Sequence, residues 1–327
     1  MDWFVKVPRL ELSNWAPSEN WEGLFERWTK KGVKGIILPL NLKDEIEKIS
    51  SIIQLAKLGN VQVWVNLPVL NNQAVSDRTE FGKIKHRTGE IFDFPAWFAP
   101  ICPSNLEYQD YLDEKIANSL MHLPIDVWLL DYVRFPYFWE QWGNTVQEDE
   151  FPPFCYCVDC KLSFQNLMHL SLEDSTVVHL QKWQSRVIEK LIERISRNIK
   201  GVHPNLQVGM QILPLMSQKR RHPKSEWVGQ NLQSLQRHVD FFSPLMYGKL
   251  LGLYPDQILS YLVDFISTQK QPVVPSFQIS STRWDRQKYE TKVKLTDLGN
   301  RLTPLGIDAA TLFHAKDFLN PEKIQKE

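Results

Sequence analysis

Eight apolar runs separated by amphipathic ones restrict the fold of this chain more than any other feature. The runs are Trp3 to Pro8, Val33 to Leu40, Val61 to Leu67, Val127 to Val133, Gln207 to Leu213, Phe241 to Tyr247, Val273 to Ile279 and Ala309 to His314. Between them lie helical patterns over Glu19 to Lys31, Lys43 to Leu58, Leu106 to His122, Leu172 to Lys200, Ser225 to His238, Asp256 to Gln269 and Arg286 to Leu302. Strands that alternate with helices argue for an α/β fold with a parallel sheet, and eight repeats fit a closed (β/α)8 TIM barrel. No Ser/Gly-rich linker or low-complexity tract interrupts the chain, so residues 1–327 read as a single domain. Two long insertions, about 71–105 and 135–170, follow the third and fourth strands, on the face where barrel enzymes build their sites. They are expected to wall a cleft.

Composition removes several classes of function. At 43% hydrophobic and 23% charged residues the chain can bury a sizeable core and lacks the signature of disorder. Its 38 Lys and Arg balance its 38 Asp and Glu, so no global field gathers phosphates or anionic lipid, and neither nucleic acid nor a membrane is an expected partner. The opening MDWFVKVPRLELSNW has no basic and apolar leader pattern, and no apolar run approaches the roughly 20 residues of a membrane helix. The chain therefore reads as cytoplasmic, or as a secreted protein already trimmed. Dinucleotide, P-loop and zincin motifs are missing, and the short basic run Lys219 to His222 reads as a solvated loop.

The most informative run is Trp128-Leu129-Leu130-Asp131-Tyr132-Val133-Arg134-Phe135-Pro136. An apolar strand that ends in Asp, with Arg three residues on, places an acid and a base at the strand's C-terminal end. A charge there is costly unless paired, so chemistry competes with a plain alternative, a salt bridge between Asp131 and Arg134 that caps the barrel. Arg134 could equally hold Asp131 ionised.

The D-Y-V-R-F-P run, Asp131 to Pro136, resembles the fourth-strand motif of uncharacterised glycosyl-hydrolase-like barrel families. The run Trp227-Val228-Gly229-Gln230-Asn231, followed by Val239 to Tyr247, is similar to their segment leading into the sixth strand. The resemblance implies a glycosidase-like barrel acting on an oligo- or polysaccharide. It also implies a catalytic role for Asp131, the nucleophile in a retaining enzyme.

Cys155, Cys157 and Cys160 form a C-x-C-x2-C pattern, and Cys102 is the fourth cysteine of the chain. Four thiolates make a complete tetrahedral zinc site; four reduced structural cysteines, or one disulfide, are the alternatives. The arrangement resembles the structural zinc site of family 42 glycoside hydrolases, the β-galactosidases, in which a Cys-Pro after strand three joins a C-x-C-x2-C after strand four. That resemblance implies Zn2+ held by Cys102, Cys155, Cys157 and Cys160, pinning the insertions together without activating water. The chain departs from that family where its catalytic glutamates belong: the fourth strand ends in Asp131-Tyr132 and the seventh run reads Val273-Val274-Pro275-Ser276-Phe277-Gln278, with no Glu in either. β-Galactosidase activity is not carried over.

Glycoside hydrolysis ordinarily needs two carboxylates. Asp131 supplies one, and Asp317, just past the eighth strand, is the candidate for the other, with a helix cap as its alternative role. The loop acids Asp93, Glu140, Glu148, Asp149 and Glu150 read as solvated. Strand-end polar residues Asn66, Gln211, Gln278 and His314, with Tyr132, suit sugar hydroxyls, and Tyr247 could orient or polarise a carboxylate. Trp64, Trp97, Trp139 and Trp142 are candidate stacking platforms for sugar rings. Two other functions stay open: a carbohydrate-binding barrel without catalysis, and a zinc-stabilised scaffold that binds a protein through an exposed apolar patch on its insertions.

Overall fold

The computed structural model describes residues 1–7, 21–40, 46–76, 82–95, 98–143, 145–146, 155–217, 225–279, 285–286 and 295–313. Eight strands form the expected closed parallel barrel: β1 (Asp2–Lys6), β2 (Val33–Pro39), β3 (Gln62–Pro68), β4 (Val127–Asp131), β5 (Gln207–Ile212), β6 (Phe241–Met246), β7 (Ser276–Gln278) and β8 (Ala309–Phe313). Each pairs with its sequence neighbours, and β1 closes the ring on β8, with Asp2 opposite Ala309 and Val5 opposite Leu312.

The period of two along each strand sorts residues between the two sides of the wall. Phe4, Ile37, Trp64, Val127, Leu129 and Phe241 pack together inside the barrel. Val5, Ile36, Val63, Trp128, Leu130 and Met210 join the larger core under the helices. Two inward positions must be glycine for the aromatic layer to fit: a Cβ on Gly209 would meet the Phe241 ring at 2.1 Å, and one on Gly35 the Phe4 ring at 2.6 Å.

The crossover helices of eight residues or more are α1 (Trp21–Lys30), α2 (Ile46–Leu58), α3 (Leu106–His122), α4 (Val158–Met168), α5 (Val177–Val202), α6 (Pro255–Ser267) and α7 (Leu295–Leu302). The helix expected from Leu172 starts five residues later, because Thr176 and His179 form a capping box that fixes the first turn of α5. The continuous helix expected over Ser225 to His238 is instead a 3-10 turn, Ser225–Val228, and a short helix, Leu232–Leu235. Gly229 breaks it with φ of 87°, and a Cβ there would meet Ile188 of α5 at 2.6 Å.

At the N-terminal end of the barrel two aspartates close the wall in the same way. Asp126 accepts from the Val63 N–H at 2.7 Å and pairs with Lys57; Asp240 accepts from the Val208 N–H at 2.7 Å and pairs with Lys200. These contacts belong to the face where a barrel keeps its stability, opposite the face that carries function. On that functional side, antiparallel bridges from Asn71 to Pro100, Lys83 to Ile101 and Lys85 to Ile91 fold the first insertion. The second contains α4 and a two-residue strand, Thr145–Val146, paired with Met216–Ser217. No described helix is long and apolar enough to cross a membrane.

Candidate functional site

Two residues beyond the inner aromatic layer, the same faces of the strands become polar. Phe4 is followed by Lys6 on β1, Trp64 by Asn66 on β3, Leu129 by Asp131 on β4 and Gly209 by Gln211 on β5. Alternation thus carries these four polar residues from four strands to the barrel mouth.

Asp131 is the centre of the group, 6% exposed. Asn66 Nδ2 donates to its Oδ2 at 3.3 Å, and Lys6 Nζ lies 3.5 Å from the same oxygen. Gln211, with its amide oriented to satisfy both groups, donates to Oδ1 at 2.9 Å and Oδ2 at 2.7 Å. The Tyr132 N–H donates to Oδ1 at 2.8 Å. Both oxygens therefore face N–H donors, an arrangement for a carboxylate that accepts and does not donate.

Tyr132 takes this position at a conformational cost. Its φ is 54°, the left-handed region that a bulky side chain rarely occupies, and such strain costs on the order of 1–3 kcal/mol. The bend stops β4 at Asp131 and turns Tyr132 N–H onto the carboxylate. Gln230 supports it from below: its Nε2 donates to Val133 O at 3.2 Å and Gln211 O at 3.1 Å, while its Oε1 accepts from Leu213 N–H at 2.8 Å. The Gly229-Gln230 pair thus stitches the ends of β4 and β5 together, which accounts for that motif in physical terms.

Arg134 does not pair with Asp131. The cation against that carboxylate is Lys6, and Arg134, 6% exposed, lies over the Tyr132 ring at 4.7 Å with its Nε lacking a hydrogen-bond partner. Its charge acts on Tyr132 and on Glu140, the latter on the short helix Trp139–Trp142. Burial pushes the Glu140 carboxyl up to about 7; its own backbone N–H, Arg134 and the Trp139 side chain oppose the shift, and Asp131 adds to it. A half-buried acid replaces the solvated one expected from sequence.

This shift has a consequence for stability. Between the ordinary value of 4.5 and about 7, Glu140 ionises in the unfolded chain before it does so in the folded one, so its charge costs folding free energy as pH rises through that window. Glu140→Gln is expected to be more stable than wild type by less than about 1 kcal/mol at pH 5 and by about 3 kcal/mol at pH 8. Denaturant unfolding at the two pH values measures this, and a difference independent of pH contradicts it.

The other expected site residues divide into several groups. Tyr247 follows the last residue of β6 at the mouth, buried, stacked on Phe313 at 4.7 Å and tilted against Trp139 at 5.8 Å. Burial, and secondarily the Asp131 charge, drive its phenol well up, as they do for Tyr132. Gln278 turns inward, donating to Asp285 at 2.7 Å and accepting from Leu250 N–H at 3.3 Å. Trp64 is 4% exposed and stacks on Phe4 at 4.1 Å, so it fills the barrel interior and offers no face to a sugar. Trp139, 3% exposed, is enclosed with Tyr137, Leu213, Trp227 and Leu250. Asp93 is exposed. Trp97, His314, Asp317, Glu148, Asp149 and Glu150, with the Trp142 side chain, lie outside the described residues. Lys6 was legible in principle, since it stands two residues after Phe4 on the inward face. Glu140 had no local signal.

The four cysteines gather where the two insertions meet. Cys102, Cys155, Cys157 and Cys160 are buried, and their Sγ atoms lie within 4.8 Å of one another. Cys102 Sγ is 3.4 Å from Cys157 Sγ and 3.3 Å from Cys160 Sγ, too far for disulfides of about 2 Å, and all four are free. Four sulfurs at about 2.3 Å from one ion stand about 3.8 Å apart, so the cluster can hold a metal ion after opening by a few tenths of an ångström. Without a metal the thiols divide: hydrogen bonds from its cysteine neighbours push Cys157 strongly down, hydrogen bonding led by Cys155 pushes Cys102 well up, and burial pushes Cys160 well up. Beside the cluster runs a groove of about 960 Å3 between the insertions, lined in part by Ile91, Leu106, Val158 and Leu162, each more than half exposed. None of the mouth residues lines this groove.

No protein-family model matches the sequence, and no curated protein matches it. Solved structures match over nearly the whole chain. The PgaB (BpsB) glycoside hydrolase domain from Bordetella bronchiseptica superimposes with a TM-score of 0.72 at 16% identity, covering 97% of this chain and 94% of that one. The β-galactosidase of the Antarctic haloarchaeon Halorubrum lacusprofundi gives 0.71 at 13% identity, covering 98% of this chain and 53% of that one. The β-galactosidase of the psychrophilic Marinomonas ef1 gives 0.72 at 10%, covering 96% and 54%. The chain spans about half the length of these two β-galactosidases. Likeness at such identities shows that the barrel is of the kind glycoside hydrolases use; it does not show the activity.

Proposed function

We propose that the barrel mouth cleaves a glycosidic bond in an oligo- or polysaccharide, with Asp131 as the carboxylate that meets the anomeric carbon. The observation that carries this reading is the ring of Lys6, Asn66, Gln211 and the Tyr132 N–H around both oxygens of Asp131, at the C-terminal end of a barrel strand. Lys6, Asn66 and Gln211 aim the carboxylate, and Arg134 and Tyr247 shape its surroundings. Tyr132, Gln278, Trp97 and His314 are assigned to substrate contacts. An activated 2-deoxy-2-fluoro glycoside tests the nucleophile role. One glycosyl mass should be added to the peptide containing Asp131, and a label on another residue overturns the assignment.

To the four cysteines we assign zinc, since four soft thiolates in a closed tetrahedral set suit that ion and leave no position for water. It would join the segment before α3 to the start of α4 and so fix the insertions beside the mouth. A second reading, a scaffold for a protein partner, is favoured by the exposed apolar residues of the groove, Ile91, Leu106, Val158 and Leu162. It predicts no sugar chemistry. A carbohydrate-binding barrel predicts glycan binding that survives Asp131→Asn, without bond cleavage by the wild type.

A further inference from the structure

Asp131 accepts hydrogen bonds on both oxygens and is assigned to meet the anomeric carbon, so protonating the leaving oxygen of an unactivated glycosidic bond falls to a separate donor. Three features of the mouth bear on where it sits. Glu140 is half-buried on the turn of helix that follows the β4 segment, next to Trp139, whose ring packs on Tyr247 at the end of β6. It lies close enough to Asp131, Arg134, Tyr132 and Tyr247 to interact electrostatically with each. Arg134, buried over the Tyr132 ring at 4.7 Å with an unpartnered Nε, acts on Glu140 through its charge, while Lys6 stands against the Asp131 carboxylate.

We propose that Glu140 is the proton donor of this site, an inference that rests on the reading of the mouth as a glycoside-cleaving centre. In the bond-breaking step the C1–O bond breaks, its electron pair passes to the leaving oxygen, and that oxygen takes the Glu140 proton. As the leaving group departs, an Asp131 carboxylate oxygen bonds to C1. Water then adds its oxygen to C1, the bond between C1 and Asp131 breaks with its electron pair returning to that carboxylate, and one proton of the water passes to the Glu140 carboxylate, which restores both groups. The division of labour follows from their surroundings: Asp131 sits among N–H donors, and Glu140 sits in a drier place that favours its protonated form. Burial, with Asp131, favours the protonated form, and the backbone N–H of Glu140, Arg134 and the Trp139 side chain oppose it; the Arg286 guanidinium lies beside Gly143 at the end of the same short helix, and Lys6 acts on Asp131 from β1.

The test is kcat/KM for wild type and Glu140→Gln on two substrates with the same sugar, an oligosaccharide and its dinitrophenyl glycoside, whose leaving group needs no proton. General acid catalysis is worth about 10^2–10^4-fold. The variant should lose that factor on the oligosaccharide and less than about 10-fold on the dinitrophenyl glycoside. The fall of wild-type activity on the basic side, centred near 7, should disappear with it. Equal losses on the two substrates, or no loss, overturn the proposal. So does a leaving-group-selective loss in Asp285→Asn or Asp317→Asn in place of Glu140→Gln. A wild type that cleaves neither substrate overturns the reading beneath it, an outcome distinct from all of these.

Discussion

Cys157→Ser is expected to strip the metal from the chain and lower its unfolding midpoint by roughly 10 °C. The size follows from what the cluster joins. Cys102 lies just before α3, Cys157 caps α4 and Cys160 lies in its first turn, so one ion would tie together segments more than fifty residues apart in sequence. Structural zinc binds peptides with about 10–16 kcal/mol at neutral pH, and because it binds only the folded arrangement, that affinity appears as folding stability. About 5 kcal/mol of it, at roughly 2 °C per kcal/mol for a chain of this size, moves the midpoint by the stated amount. Serine keeps the size of the side chain and removes only the soft ligand. Elemental analysis should find about one zinc per wild-type chain and none in the variant, and chelation of the wild type should reproduce the shift. A metal-free wild type of unchanged stability contradicts the zinc assignment.

Asp131→Asn is expected to reduce kcat/KM for glycan cleavage by about 10^3–10^5-fold while leaving the barrel folded. The substituted amide has nearly the same shape, but it neither attacks carbon nor balances a developing positive charge. It also turns one acceptor into a donor toward Lys6, Asn66 and Gln211, all of which need acceptors there. That mismatch lies in the mouth and leaves the aromatic layer below untouched, so the unfolding midpoint should change by only a few degrees. Calorimetric titration with an oligosaccharide should show binding within about tenfold of wild type, because the remaining mouth residues are present. A variant that keeps wild-type turnover removes Asp131 from the chemistry.

The barrel was legible because its strands are apolar on both sides of the wall and recur between amphipathic segments, a pattern no other arrangement satisfies as simply. Asp131 was legible for the same reason, as an acid at the end of a run where every neighbour is buried. Its partners were only partly so. Asn66 and Gln211 emerge from strand periodicity, and Lys6 obeys the same rule, but a lysine near the start of a chain is ordinarily solvated and carries no mark of its own. The pairing of Asp131 with Arg134 failed because sequence proximity ignores the left-handed turn at Tyr132, which carries Arg134 over that ring. Glu140 was hidden for a different reason: its burial comes from tertiary contacts around Trp139 and Tyr247, and nothing in the loop sequence foretells them. The tryptophans misled in the opposite direction, since Trp64 and Trp139 serve packing and are covered on both faces.

The most direct measurement is the appearance of new reducing ends from a broad panel of oligo- and polysaccharides, with zinc-loaded wild type and Asp131→Asn at equal folded concentration. Release from at least one glycan by the wild type, and its loss in the variant, is the predicted result. Silence from the wild type across the panel, alongside measurable glycan binding by both proteins, would contradict the account and leave the mouth as a binding site.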